Sequence, residues 1–130
     1  MLETYVREKR GVPRLPYRAV KEKILGESYI LSLVFADTSL IKKINSAHRR
    51  KHSATNVLSF PLSKKTGEVF MHLPTIRKEA KSLRVSFPEH TLFIYIHGLL
   101  HLKGFLHGKK MEALEKKYLR YFSSGRKKNK

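Results

Sequence analysis

The sequence of 130 residues contains no cysteine, which excludes a disulfide framework and removes thiolate from the possible metal ligands. It also lacks a run of about 18 uncharged apolar residues, the length that a membrane-spanning helix needs. Residues 1–5 do not have the basic-then-apolar order of a signal peptide. We therefore expect a cytoplasmic protein with no membrane partner, in which histidine and carboxylate provide any metal site.

Acidic residues are scarce in this chain. Ten Asp and Glu stand against 28 Lys and Arg, and the formal net charge is +18. Charge of one sign repels itself in a compact molecule unless a polyanion binds to it. Nucleic acid is favoured over a lipid surface because no basic helix carries a strongly apolar face flanked by aromatic residues. A basic surface without a specific partner is the alternative that charge alone leaves open.

The pattern of apolar residues predicts strands and helices mixed along one domain. Strands are predicted around residues 2–6 and over 29–36, 55–61 and 68–73, with Pro61 marking the end of the third. Helices are predicted after Pro16 as far as Gly26, after the cap Asp37 through 44, and over 76–83, 87–104 and 110–122. We expect an α+β fold in which a small mixed sheet packs with about five helices. Residues 1–122 would form one folded domain and residues 123–130 a basic disordered tail.

Three histidines stand close together in residues 97–107, which read H-G-L-L-H-L-K-G-F-L-H. On a helix, His97 and His101 lie on one face with Cβ atoms about 5–6 Å apart. Gly104 can adopt the left-handed conformation that ends the helix, and the chain can then return His107 towards the same point. Imidazole nitrogens bind zinc at about 2.0–2.1 Å, so the spacing predicts one ion on three histidines, with a fourth position open to water.

A chance pair of histidines is the alternative for this segment, because an HxxxH spacing is common without a metal. The pair here lies in an otherwise apolar helix, a helix-stopping glycine follows it, and a third histidine comes just after. Together these features favour the metal site. Zincin proteases carry a glutamate directly after the first histidine as general base, and Gly98 occupies that position here, which argues against a peptidase.

A second cluster, residues 45–56, places Arg49, Arg50 and Lys51 directly before a predicted strand. The planar fork of arginine can make two parallel hydrogen bonds to a phosphate, so the cluster indicates binding of an RNA backbone. A solvated basic turn is the alternative. His72 and His90 lie outside the histidine motif, and we interpret them as surface or helix-start residues rather than ligands.

These residues resemble the YbeY family of bacterial endoribonucleases, which act in ribosomal RNA maturation. Residues 97–107 are similar to the family hallmark H-G-x-L-H-L-x-G-[FY]-D-H. Residues 44–61 resemble its second signature, L-N-x-x-Y-R-x-K-D-x-P-T-N-V-L-S-F-P. Gly67–Phe70 and Arg77–Ala80 resemble the family's following strand start and R-x-E-A helix, and the resemblance extends in matching order from Tyr29 to Tyr121.

The resemblance implies one Zn²⁺ per chain, held by His97, His101 and His107. It also implies that Arg49 is the family's functional arginine, beside the metal in the cleft. The resemblance further implies cleavage of single-stranded RNA in ribosomal RNA maturation and ribosome quality control. Ribosomal RNA and the small ribosomal subunit are then the expected partners.

The sequence departs from the family pattern at several positions. Leu106 stands where the family has Asp, His52 where it has an acidic residue, Ala54 where it has Pro and His48 where it has Tyr. The carboxylate missing at position 106 could orient a ligand or carry a proton. Its loss leaves open a second function, that of a non-catalytic RNA-binding ribosome-assembly factor with a structural zinc site.

Overall fold

The computed structural model describes residues 1–6, 11–49 and 55–128. Its strands are β1 (Leu2–Val6), β2 (Ile30–Phe35), β3 (Val57–Ser63) and β4 (Thr66–Met71). They form one sheet in the order β1-β2-β4-β3. The first three strands in this order run parallel, and β3 pairs antiparallel with β4 through a tight turn at residues 64–65. The predicted small mixed sheet is therefore confirmed.

Five helices lie within the described residues: α1 (Tyr17–Leu25), α2 (Thr38–Arg49), α3 (Leu73–Leu83), α4 (Phe87–Leu102) and α5 (Lys109–Lys128). Five helices packed with a mixed four-stranded sheet confirm the predicted α+β class. Among these helices, none is both long enough and apolar enough to cross a membrane.

The predicted starts of α1, α2 and α4 are confirmed, whereas the predicted end of α2 at residue 44 is wrong, because the helix continues to Arg49. The helix α1 starts after Pro16 and ends at Gly26, whose φ of 97° only glycine adopts readily. The cap at Asp37 is confirmed, since its Oδ1 accepts a hydrogen bond from the Leu40 amide at 2.8 Å. The predicted end of a strand at Pro61 is wrong, because β3 continues to Ser63. This strand is at the sheet edge, where the missing N–H of proline removes no obligatory ladder bond.

The last helix is longer than expected. It runs to Lys128, so residues 123–128 have a helical backbone where an irregular tail was expected. At the predicted end of this helix, Phe122 is buried and the adjacent Tyr121 is 57% exposed. The division of the chain at residue 122 stays a prediction, and residues 129–130 lie outside the described part.

The helix α4 lies at the centre of the molecule and packs against α1, α3, α5 and the sheet. Its apolar side chains face most directions, as is typical of a buried helix. The Ser86 side chain caps it by accepting from the Glu89 amide at 3.2 Å. Midway along it, the Tyr95 hydroxyl donates to the Tyr17 carbonyl at 2.8 Å, which satisfies the only polar atom of that buried side chain. This well-fixed helix carries two of the predicted metal ligands.

Candidate metal centre and the cavities beside it

The structure brings the three predicted histidines to one point. The Nε2 atoms of His97 and His101 are 3.1 Å apart. The ring centroid of His107 lies 5.2 Å from that of His97 and 4.9 Å from that of His101. One nitrogen from each of the three lies within 4.8 Å of the others, so that they could hold a metal ion. Nitrogens this close suit a single ion at the usual imidazole–zinc distance of about 2.0–2.1 Å.

The return of the chain after α4 has the predicted cause. Gly104 has a φ of 105°, and its amide donates to the His101 carbonyl at 3.0 Å. The Phe105 amide then donates to the Leu100 carbonyl at 3.1 Å, which closes the end of the helix. This tight reversal places His107 beside the histidines of the last helical turns.

Gly98 allows the helix to lie directly on the sheet. A Cβ added there would be 3.1 Å from Val57 Cγ2, 3.2 Å from Ser59 Oγ and 3.4 Å from Val69 Cγ1. The Ser59 hydroxyl donates to the Gly98 carbonyl at 2.9 Å across this contact. The position that holds a catalytic glutamate in zincins is thus a packing position here.

Hydrogen bonds fix the orientation of two histidine rings. The Nδ1 atom of His101 lies 3.1 Å from the Phe105 carbonyl, and that of His97 lies 2.5 Å from Glu115 Oε2. Both partners can only accept, so Nδ1 carries the proton and Nε2 keeps its lone pair for a metal. Burial, with a further contribution from the neighbouring His97, lowers the pKa of His101. A lowered pKa favours the neutral ring that a metal requires.

Glu115 is a functional residue that the sequence analysis missed. It is 6% exposed and lies on α5, which packs against the histidine helix. A signal was present in the sequence, because Glu115 falls four residues after Met111 and seven before Phe122, both of which are buried. A carboxylate on the buried stripe of an amphipathic helix needs a partner, and here that partner is a metal-site histidine.

Two cavities meet at the histidines. A polar groove of about 530 Å³ runs along the start of β3 and contains the three histidines; we call it the metal groove. Its other lining residues are Thr55, Asn56, Val57, Leu58 and Ser59. A second cavity of about 630 Å³, which we call the side pocket, shares Asn56, His97 and His107 with the metal groove.

His72 and His90 both lie at helix starts, as predicted, but neither is at the surface. His72 is the N-cap residue of α3, and His90 lies in the first turn of α4; both are buried. The ring nitrogens of His72 contact the hydroxyls of Thr38 at 2.9 Å and Thr75 at 2.6 Å. His90 Nε2 lies 3.0 Å from Glu79 Oε1. Hydrogen bonds inside the fold therefore satisfy these two histidines.

The predicted phosphate-binding cluster lies largely outside the described residues. Arg49 is the last residue of α2, and the structure does not describe its side chain. Arg50 and Lys51 fall in residues 50–54, which are also outside it. Their role in binding RNA stays a prediction.

The sequence and fold were compared with known proteins. A family described as "Endoribonuclease YbeY" matches residues 9–123. A protein of that name from Polynucleobacter asymbioticus is 42% identical over 97 residues, covering 68% of this chain and 63% of its own length. Another from Ehrlichia ruminantium is 40% identical over 100 residues, covering 69% of this chain and 64% of its own.

A solution structure, that of TM1509 from Thermotoga maritima, has the same fold. It superimposes with a TM-score of 0.72 at 24% identity, covering 99% of this chain and 93% of the other. The chain spans 63% and 64% of the lengths of the two sequence relatives. The match nevertheless runs through the histidine motif and nearly the whole described fold. This chain belongs to the YbeY family.

Proposed function

We propose that this protein is a zinc-dependent endoribonuclease that cleaves single-stranded RNA in the cytoplasm. Its substrate would be ribosomal RNA on or near the small ribosomal subunit, in maturation and quality control. The observation that carries the proposal is the convergence of His97, His101 and His107 beside an open polar groove. The names of the two sequence relatives support the same activity.

The donor set suits a divalent ion that prefers nitrogen. Two of the three rings have their Nδ1 atoms bound to acceptors, and their Nε2 atoms are 3.1 Å apart. A zinc ion in such a site acts as a Lewis acid on a phosphoryl oxygen and activates water for attack. Glu115 holds the His97 ring in place, so it acts as a positioning residue.

The predicted basic cluster would position the RNA strand. Arg49 would hold the phosphate at or beside the cleaved bond, and Arg50 and Lys51 would contact the backbone on either side. The net charge of +18 would draw the polyanion to the protein at low salt. Ser59 is not a nucleophile in this scheme, because its hydroxyl donates to the Gly98 carbonyl.

The second candidate function is an RNA-binding ribosome-assembly factor whose zinc site only stabilises the fold. One observation favours it. Leu106, directly before His107, is 82% exposed, so an apolar side chain stands where the family pattern has a carboxylate. The two functions differ in whether RNA is cleaved, and not in whether zinc is bound.

Metal content and RNA cleavage, measured together, test both candidate functions. We expect about one zinc per chain in the native protein. His101→Ala should lose zinc and cleavage, whereas Arg49→Ala should keep zinc and lose cleavage. Arg18→Ala, which removes the same charge from an exposed position on α1, is the matched control and should behave as the native protein.

Three outcomes of these measurements distinguish between the two candidate functions. Full zinc with no cleavage above the level of the His101 and Arg49 variants would favour the assembly factor. Absence of metal would overturn both functions. Equal losses of cleavage in the Arg49 and Arg18 variants would remove the special role of Arg49 and leave only a general effect of charge.

A further inference from the structure

The side pocket opens where a strand bound at the histidines would pass. It shares Asn56, His97 and His107 with the metal groove, so the two cavities are continuous at the metal site. Under the proposed function, the RNA backbone lies in the metal groove. One nucleotide beside the reacting phosphate can then turn its base into the side pocket.

The walls of this pocket are chiefly apolar. Leu83, Phe93, Ile94 and Met111 contribute to them. The Phe93 ring is near-parallel to that of His90, with 17° between the planes and 6.1 Å between the centroids. Leu83 is 62% exposed and lies in the pocket wall, where a bound ligand can contact it. Planar bases taken out of a stack are commonly held by such aromatic and apolar walls.

One wall of the pocket presents a fixed carboxylate. Asn56 Nδ2 donates to both oxygens of Glu79, at 3.1 and 3.2 Å, and His90 Nε2 lies 3.0 Å from Oε1. These partners hold the carboxylate still, since His90 is buried within α4 and Asn56 precedes β3. A carboxylate can only accept hydrogen bonds, so a ligand must bring the donors.

The charge of the pocket excludes a phosphate as its occupant. Glu79, Glu112 and Glu115 all line it, although the chain carries only ten acidic residues. Carboxylates repel phosphate but accept hydrogen bonds from the amino group of a base. Cytosine, adenine and guanine carry an exocyclic amino group. Uracil has none, and its one donor on that edge, the ring N3–H, lies between two carbonyl oxygens that repel a carboxylate.

We propose that the side pocket binds one unstacked base of the RNA strand and selects bases with an exocyclic amino group through Glu79. This inference rests on the proposed function, because it needs RNA in the metal groove. Glu79 would then distinguish between bases, whereas the other RNA contacts predicted for this protein are to phosphate groups.

Binding of two short oligonucleotides tests the proposal. The zinc-loaded protein is titrated with fluorescent oligocytidylate and oligouridylate of equal length, and the RNA is afterwards checked for cleavage on a gel. The two probes carry the same charge. We expect cytidylate to bind at least about five-fold more tightly, the lower end of what one base contact contributes.

Two variants link the preference to the pocket. Glu79→Gln should reduce the preference, because its amide can donate to uracil carbonyls as well as accept from cytosine. Glu22→Gln removes the same charge from an exposed position on α1 and should leave the preference unchanged. Leu83→Ser, at an exposed site that tolerates substitution, should weaken binding of both probes several-fold and leave zinc content unchanged.

The results separate this inference from the proposed function. RNA that stays intact but binds with the Glu79-dependent preference would refute cleavage and keep the pocket. RNA that is cleaved, but bound with no preference for cytidylate, would support cleavage and refute the base pocket. Equal affinity for both probes, or a preference that survives in Glu79→Gln, would overturn the proposed base pocket.

Discussion

Single side chains that do not themselves reach the metal decide how well this site can work. His97 and His101 point their Nε2 atoms to one place because Glu115 and the Phe105 carbonyl hold the opposite sides of their rings. Such outer partners fix the tautomer and the ring angle, and their loss commonly lowers metal affinity or activity by about 10–100-fold. Two predictions follow from this at the residue scale.

Removing the charge of Glu115 should weaken metal binding. We expect Glu115→Gln to lower zinc affinity by about 10–100-fold, measured by competition with a chelator. The control is Glu22→Gln, an equal change at an exposed position on α1 that lines neither the metal groove nor the side pocket. Equal affinities in the two variants would show that Glu115 does not orient His97.

Restoring a carboxylate at position 106 should strengthen the site. Leu106→Asp replaces an exposed apolar side chain next to His107, so folding should not suffer. We expect zinc affinity or RNA cleavage to rise by about ten-fold. Leu62→Asp makes the same exchange at another exposed leucine, on β3, and should change neither quantity. If both variants match the native protein, the carboxylate of the family pattern has no function in this chain.

The central element of the fold is α4, and its distance from the sheet depends on Gly98. The Cβ of any other residue would be 3.1 Å from Val57 Cγ2, closer than ordinary van der Waals contact. Helix and sheet would have to move apart, which would also displace the ring of the adjacent His97.

We expect Gly98→Ala to destabilise the protein by up to about 2 kcal/mol in urea unfolding. Overpacking costs about 1–3 kcal/mol, and the higher helix propensity of alanine offsets about 1 kcal/mol of this. Val57→Ala removes the closest opposing methyl, so Gly98→Ala should cost less in that background, by at least about 0.5 kcal/mol. Purely additive effects would mean that the contact does not cause the loss.

At the scale of the whole molecule, charge dominates, since the formal net charge of +18 is spread over 130 residues. A polyanion that binds such a surface releases counterions, and its affinity then falls steeply with salt. This long-range attraction carries no sequence information, so it complements the proposed base pocket rather than replacing it.

Affinity for single-stranded RNA should fall by about 20-fold or more between 50 and 200 mM salt in fluorescence titrations, because three phosphate contacts give a slope of about −2 on a single strand. Lys51→Gln, in the predicted RNA-binding cluster, should lower the slope of log affinity against log salt by about 0.7. Lys23→Gln, at an exposed position on α1, should not change this slope. A flat salt response in the native protein would contradict electrostatic binding of RNA.

The sequence by itself determined the features that depend on neighbours along the chain. The spacing of His97 and His101, the reversal at Gly104 and the cap at Asp37 all follow from the geometry of one helix and its ends. The apolar character of α4 likewise predicted its burial.

Only the tertiary structure decided which distant groups support the histidines. His97 meets Glu115 across 18 positions of sequence, and Asn56 meets Glu79 across 23. The packing of α5 and α3 against α4 brings these two glutamates within reach, and no local pattern specifies that packing. The role of Gly98 and the joining of two cavities at the metal site were hidden for the same reason. Both depend on the distance between a helix and a sheet, which is set by side chains from many parts of the chain.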